Sequence, residues 1–216
     1  MSILRTKFDS DINLGLHGFA TDKYCLIGNP RYAVKLHDAL GVPVHPAIIL
    51  EMDLIRIFCT GNSSGIVMSK VVHDFDGCDI KHVDIHFIKT NFSSLGNLLL
   101  MNDHGIIVSP LIRRHARELE RIFGLRAEIT TVAGLNLVGS LGFATNKGCL
   151  AHPKLREREK KIIEKTLEVN VDITTVNFGS PYPGAGLIAN SNGLVVSDVC
   201  SGPELGRITD VLGFLE

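Results

Sequence analysis

Ala127-Glu128-Ile129-Thr130-Thr131-Val132-Ala133 returns 44 residues later as Val171-Asp172-Ile173-Thr174-Thr175-Val176-Asn177, with Ile-Thr-Thr-Val intact in both copies. The units around the two copies match as well. Leu95-Gly96-Asn97 opens one, Val138-Gly139-Ser140 opens the next, and Gly184-Ala185-Gly186 holds the equivalent place in a further one. Tight turns recur at Thr21-Asp22-Lys23-Tyr24, Asn62-Ser63-Ser64-Gly65, Asn102-Asp103-His104-Gly105, Asn146-Lys147-Gly148 and Asn192-Gly193. Their last residues are spaced by 41, 40, 43 and 45 positions, a period that marks a structural array. The chain therefore reads as one domain of five pseudo-repeats, covering approximately 1–50, 51–90, 91–133, 134–177 and 178–216.

Each unit reads as strand, turn, strand, helix, strand. In the third, Ile106-Ile107-Val108 is followed by Ser109-Pro110, an N-cap with proline at the first helical position. Ile112, His115, Ala116, Leu119, Ile122 and Phe123 then recur at helical spacing until Gly124. The fourth unit repeats the plan through His152-Pro153 and a helix carrying Leu155, Ile162, Ile163 and Leu167, and the first places Ala33, Leu36 and Leu40 before Gly41. Lys70 to Lys81, with Asp74, Asp76 and Gly77, is the weakest helix of the set and is expected to be shortened or irregular.

A unit this small cannot bury both faces of its sheet, so neighbours must share a core. Neither terminus carries a polar capping unit, since the first and last units both have apolar strands. Closure into a ring removes the need for caps. The expected fold is an α/β, five-fold pseudosymmetric propeller of strand-strand-helix-strand repeats, with its termini meeting.

Composition narrows the functional classes. With 45% apolar and 21% charged residues the chain is no candidate for disorder, and 216 residues suffice to bury roughly 70% of the unfolded surface. The absence of Trp removes the usual stacking platform for bases, and a net charge of −1 argues against a general nucleic-acid binder. Five cysteines without a Cys-x-x-Cys pair point to reduced, cytoplasmic thiols; Cys25, Cys59, Cys78 and Cys149 lie mostly in apolar runs and read as buried small hydrophobes. No signal core or membrane-length apolar run occurs, so no membrane is expected. No cofactor is expected either: Gly184-Ala185-Gly186 lacks a third spaced glycine and no Gly-Lys-Ser/Thr occurs. Residues 110–165 hold 12 of the 22 Lys and Arg against 6 acids, a stripe that fits RNA phosphates but reads first as solvated helix surface.

The order and spacing of Gly61-Asn62-x-x-Gly65, Leu95-Gly96-Asn97, Asn102-Asp103, Val138-Gly139-Ser140 and Gly148-x-x-x-His152-Pro153-Lys154 resemble the translation initiation factor 6 family in its archaeal form, across essentially the whole chain. The resemblance implies the pentein fold and a ribosome anti-association factor. Such a factor is a monomer that binds the large (50S) ribosomal subunit beside ribosomal protein uL14 and the sarcin-ricin loop, excludes the small subunit and serves in large-subunit biogenesis. It also implies, with the chain stopping at Glu216, no phosphorylatable C-terminal tail of the eukaryotic kind. The matched ribosome-binding positions are Gly61, Asn62, Gly96, Asn97 and Asp103. Asparagine amides both donate and accept, glycines admit a close backbone, and Asp103 suits a basic tail. The competing reading is that these residues only shape turns.

Two further readings rest on fewer residues. The same propeller houses guanidine-modifying hydrolases, and His82-Val83-Asp84 with Cys200 resembles their His-x-Asp and nucleophilic Cys, though the sequence around Val199-Cys200-Ser201 lacks their glycines. Strand alternation would put His82, Asp84 and His86 on one face as metal ligands, with Val83, Ile85 and Phe87 inward, but no fourth ligand is indicated. The sequence is therefore expected to encode a binding factor with no metal and no catalytic residue.

Overall fold

The computed structural model describes residues 2–72, 75–76, 80 and 83–215. Unit 1 opens with the one-turn helix α1 (Leu14–His17), continues through strands Gly18–Ala20 and Cys25–Ile27 into α2 (Ala33–Leu40), and closes with strand Val44–Pro46. Unit 2 has α3 (Ile55–Phe58) and strands Cys59–Asn62, Gly65–Ser69 and Asp84–Ile88. Unit 3 has α4 (Leu95–Leu98), strands Leu99–Met101 and Gly105–Val108, α5 (Ala116–Phe123) and strand Arg126–Ile129. In unit 4, α6 (Val138–Leu141) and strands Gly142–Ala144 and Gly148–Ala151 lead to α7 (Glu157–Leu167) and strand Asn170–Ile173. Unit 5 comprises α8 (Pro183–Gly186), strands Leu187–Ala189 and Gly193–Ser197, and α9 (Gly202–Val211).

Every unit forms a three-stranded sheet in which an antiparallel hairpin is followed by a parallel third strand. The fifth sheet takes its third strand from the other end of the chain: Ser2–Thr6 pairs in parallel with Gly193–Ser197. That pairing closes the ring, as the uncapped apolar termini require.

The hydrophobic core lies between units. Phe19, Tyr24 and Leu26 of unit 1 pack with Ile55, Phe58 and Met68 of unit 2, and Val67 and Ile88 of unit 2 pack with Leu95, Leu99 and Leu119 of unit 3. The same sharing joins units 3 and 4 through Leu100 and Cys149, units 4 and 5 through Phe143 and Leu194, and units 5 and 1 through Ile188 and Leu14. Because side chains alternate along a strand, Leu99 and Met101 face one neighbour while Leu100 faces the other. Both sheet faces are buried, hence the continuous apolar runs.

The helices fall largely where periodicity puts them, with Gly41 and Gly124 ending α2 and α5 in the left-handed conformation at φ of 67° and 66°. After Ser109, whose hydroxyl accepts from Leu111 N, the chain first makes a 3-10 turn over Pro110–His115 with a kink at Ile112. The described part of Lys70 to Lys81 carries no helix; a two-residue strand, Phe75–Asp76, pairs with Ile48–Ile49. The rest of that segment, including Cys78 and His82, lies outside the described residues. One expectation is corrected: Phe87 does not pack inward but is 40% exposed, while His86 is half-buried edge-on against Phe123. As the third strand of its sheet, Asp84–Ile88 has one face covered by unit 3, and His86 lies on it.

Candidate binding faces at the two ends of the axis

The first strand of every unit runs along the propeller axis, so the axis has two chemically different ends. At one end stand five four-residue turns, beginning at Thr21, Asn62, Asn102, Thr145 and Asn190. At the other stand the one-turn helices, α1 packed against α3 and α8, α3 against α4, and α6 against α4 and α8.

At the turn end the side chains that close and link the turns are consumed by the fold, while Lys23, His104, Lys147 and Asn192 stay exposed. Asn62 Oδ1 accepts from Ser64 N at 2.9 Å, Ser64 Oγ at 2.8 Å and Gly65 N at 3.2 Å, and its amide nitrogen donates to Asn102 O of the next unit at 3.4 Å. Asn102 closes its own turn and donates to Thr145 O and to Leu167 O at the end of α7. Asn190 does the same toward Thr21 O and Leu40 O. Thr21 and Thr145 close their turns with hydroxyls instead. Asp103 accepts from Ser63 N and Oγ, both at 2.7 Å, and Asp22 accepts from Ser191 N and Oγ at the same distances. The amide of Asn146 donates to both carboxylates, at 2.6 Å to Asp103 and 2.7 Å to Asp22. Within this belt lies a cavity of about 20 Å³, room for about one water molecule. A Cβ on Gly61 would collide with Gly65 O and stand 2.8 Å from the Tyr24 hydroxyl.

At the helix end, Gly15, Gly96, Gly139 and Gly184 hold equivalent positions, and each abuts the backbone of the preceding unit. A Cβ on Gly96 would strike Arg56 O; on Gly139, Gly96 O; on Gly184, Gly139 O; and on Gly15 it would stand 2.5 Å from Gly184 O. Unit 2 alone breaks the series with Arg56, which is 9% exposed beside the Phe19 ring; burial lowers its pKa to about 10. Asn97, one residue further along, is half-buried. Its Oδ1 accepts from Ser140 Oγ at 2.9 Å, and its amide nitrogen makes no hydrogen bond among the described residues.

The loops feeding these helices carry Met52, Phe92, Leu135, Leu137, Phe178 and Tyr182, all exposed, Phe178 by 83%. Tight turns with non-glycine residues at positive φ shape four of them: Asp9–Ser10, Leu50–Glu51, Ala133 and Asn177–Phe178. Two turns are clamped by carboxylates. Glu159 accepts from Thr131 Oγ1, Ala133 N and Gly134 N, and Glu204 from Thr175 Oγ1, Phe178 N and Gly179 N, while both cap their own helices. Burial opposes ionisation of Glu204, but the hydrogen bonds from Ser201, Thr175 and Gly179 outweigh it and hold its pKa at about 2; Glu159 is lowered in the same way.

The matched residues therefore separate. Gly61, Asn62 and Asp103 belong to the turn end; Gly96 and Asn97 belong to the helix end, ~13 Å away along strand Leu99–Met101. The exposed loops and their clamps were not anticipated from the sequence; the Glu three residues after the helix caps is the signal that could have found them.

Cys200 is 2% exposed in the core shared by units 4 and 5, its thiol pushed up by burial to about 11, and it does not line the axial cavity. Cys25, Cys59 and Cys149 are fully buried. Burial raises the thiol pKa of Cys25, and that of Cys149 to about 12. His152 accepts from Lys154 N, a turn-forming contact. Among the described residues no three His, Cys, Asp or Glu side chains cluster as a metal site, and His82 is not one of those residues.

These features define an α/β propeller of the pentein class, five units around a closed axis. The chain belongs to the eIF-6 family, whose model matches residues 3–211. Translation initiation factor 6 of Pyrococcus horikoshii is 36% identical over 227 positions, covering 100% of both chains. That of Haloquadratum walsbyi is 33% identical over 99% of this chain and 98% of its own. Among the described residues no helix is long and apolar enough to cross a membrane.

Proposed function

We propose that this chain is a cytoplasmic, monomeric translation factor, one five-unit domain, that binds the large (50S) ribosomal subunit and prevents its association with the small subunit. It acts by steric exclusion, without catalysis or cofactor, and the same binding serves in large-subunit biogenesis. Family membership supports the role. The observation that carries the reading is the helix end: six exposed apolar or aromatic side chains, five of them on loops with positive-φ turns, and Asn97, whose amide nitrogen makes no hydrogen bond among the described residues. A monomer rarely exposes such a concentration on one face unless a partner covers it. The docking face is then the helix end, set against the protein uL14 and the sarcin-ricin region of the subunit. Gly96 and Asn97 lie in the contact; Gly61, Asn62 and Asp103 act by building the propeller.

Co-sedimentation with separated archaeal subunits and a joining assay test this. Phe178→Asp with Asn97→Arg should abolish large-subunit binding and restore joining, while Lys23→Glu with His104→Glu at the turn end should leave both unchanged. The converse pattern would move the contact to the turn end, and no binding by the wild type would end the proposal.

A further inference from the structure

We infer that the arginine row on the third unit, Arg113, Arg114, Arg117 and Arg121, is an RNA-phosphate contact that stands beside the docking face, an inference resting on the ribosome-binding reading. Six of the twelve cations of the basic stretch lie on α5 and α7, and the two helices differ in how far their own carboxylates pair them. On α7 two of the four cations are matched by carboxylates one turn away, Lys160 at 3.7 Å from Glu164 and Lys161 at 3.7 Å from Glu157, while Arg158 and Lys165 have no such pair among the described residues. On α5 the carboxylates are spent elsewhere. Glu118 holds His115 Nδ1 at 2.8 Å, and Glu120 accepts from Ala127 N at 3.1 Å. All four arginines are exposed, and none has a carboxylate among the described residues within ion-pairing distance.

Geometry arranges them as a ridge. Arg117 and Arg121 are four apart on one helix, ~6 Å along its axis, and line an open cleft of about 420 Å³ together with Glu120, whose Oε1 is held by Ala127 N. Arg113 and Arg114 continue the row in the preceding 3-10 turn, where His115 Nε2 fixes Arg114 Nε at 3.0 Å. The ridge starts where strand Gly105–Val108 leaves the helix end and runs down the side of the propeller toward the turn end. A factor docked on its helix end therefore turns this ridge toward whatever stands up beside the docking site.

Phosphate is the partner that fits. Each guanidinium offers forked donors that match a phosphate bidentately, and a nucleic-acid strand supplies a regular row of such groups. The row holds no lysine, and the chain away from residues 110–165 carries a net charge of about −7, so bulk attraction does not explain it.

The test compares the wild type with R113A/R114A/R117A/R121A in binding to isolated large subunits at fixed Mg²⁺ and varied monovalent salt. Circular dichroism controls for folding. Loss of four phosphate contacts lowers the slope of log K against log salt by about 3, so the wild type should lose about 50-fold more affinity than the variant between about 50 and 200 mM salt. Equal slopes overturn the inference. An iron chelate tethered at Leu111→Cys reports the partner: hydroxyl-radical cleavage of ribosomal RNA supports it, and a slope change without cleavage means an acidic protein and overturns it. If the wild type binds no subunit, the ribosome reading has failed, and the same slope comparison on a duplex RNA oligonucleotide decides whether the ridge binds phosphate.

Discussion

Replacing Glu204 by glutamine isolates one clamp on the helix-end loops. The carboxylate accepts from Thr175 Oγ1 at 2.7 Å, Phe178 N at 3.1 Å, Gly179 N at 2.8 Å, and Ser201 N and Oγ at 2.8 Å each. An amide keeps one acceptor atom and turns the other toward donors it cannot satisfy. The magnitude follows from the pKa, held at about 2 against the 4.5 of an unperturbed glutamate. The difference corresponds to about 3 kcal/mol on a side chain only 7% exposed. Because the folded-state pKa is depressed, this stability is fully present above pH 4.5 and is lost as the pH falls through 2. Glu204→Gln should therefore unfold about 3 kcal/mol more easily in denaturant at pH 7, with Tm lower by about 6–12 °C, and the gap should shrink steadily below about pH 4.5. A variant as stable as the wild type at pH 7, or a gap that does not narrow in acid, would refute the clamp.

Adding a methyl at Gly96 or Gly139 forces it into the neighbouring unit's carbonyl, so either Ala variant should cost about 1–3 kcal/mol or more in denaturant unfolding. Gly206→Ala, where a Cβ meets nothing within 4 Å inside α9, should instead stabilise by about 0.5–1 kcal/mol in the same assay. Cys25, Cys59, Cys149 and Cys200 should resist a thiol reagent in the native protein and be labelled only on unfolding, read by mass spectrometry of the peptides. Asn102→Ala leaves Leu167 O and Thr145 O without their donor at a seam between units, a loss of about 1–3 kcal/mol visible in thermal melts.

The repeat and its closure were legible because a five-fold pattern of apolar strands and Asn or Gly turns survives the divergence of the units. Two turns are longer than the sequence reading makes them: Thr145 begins one, where a threonine hydroxyl doing the work of an asparagine oxygen hides the equivalence, and Asn190 begins the other, where Asn192 two residues on offers a competing Asn-Gly start. Leu95-Gly96-Asn97 was recognised as a landmark but not as a helix, since four residues carry no periodicity. The site residues were the least legible. Asn62 and Asn97 look alike in sequence, and only the fold reveals that one has every polar atom engaged while the other keeps a donor without a partner among the described residues. Phe87 was misplaced because simple alternation takes no account of which face a third strand has covered.

The pairing of Ser2–Thr6 with Gly193–Ser197 joins segments 191 positions apart. During synthesis the first of these must wait for 191 further residues before its partner exists. Four units can stack as they appear, since each shares its core with the next, but the last seam is a single long-range event with a large loop-closure cost. A chain stalled before Gly193 has an open seam with apolar strand edges on both sides, a species for chaperones and proteases to find. Completion of the ring is thus a proofreading of length: only a chain read through the fifth hairpin hides its own ends.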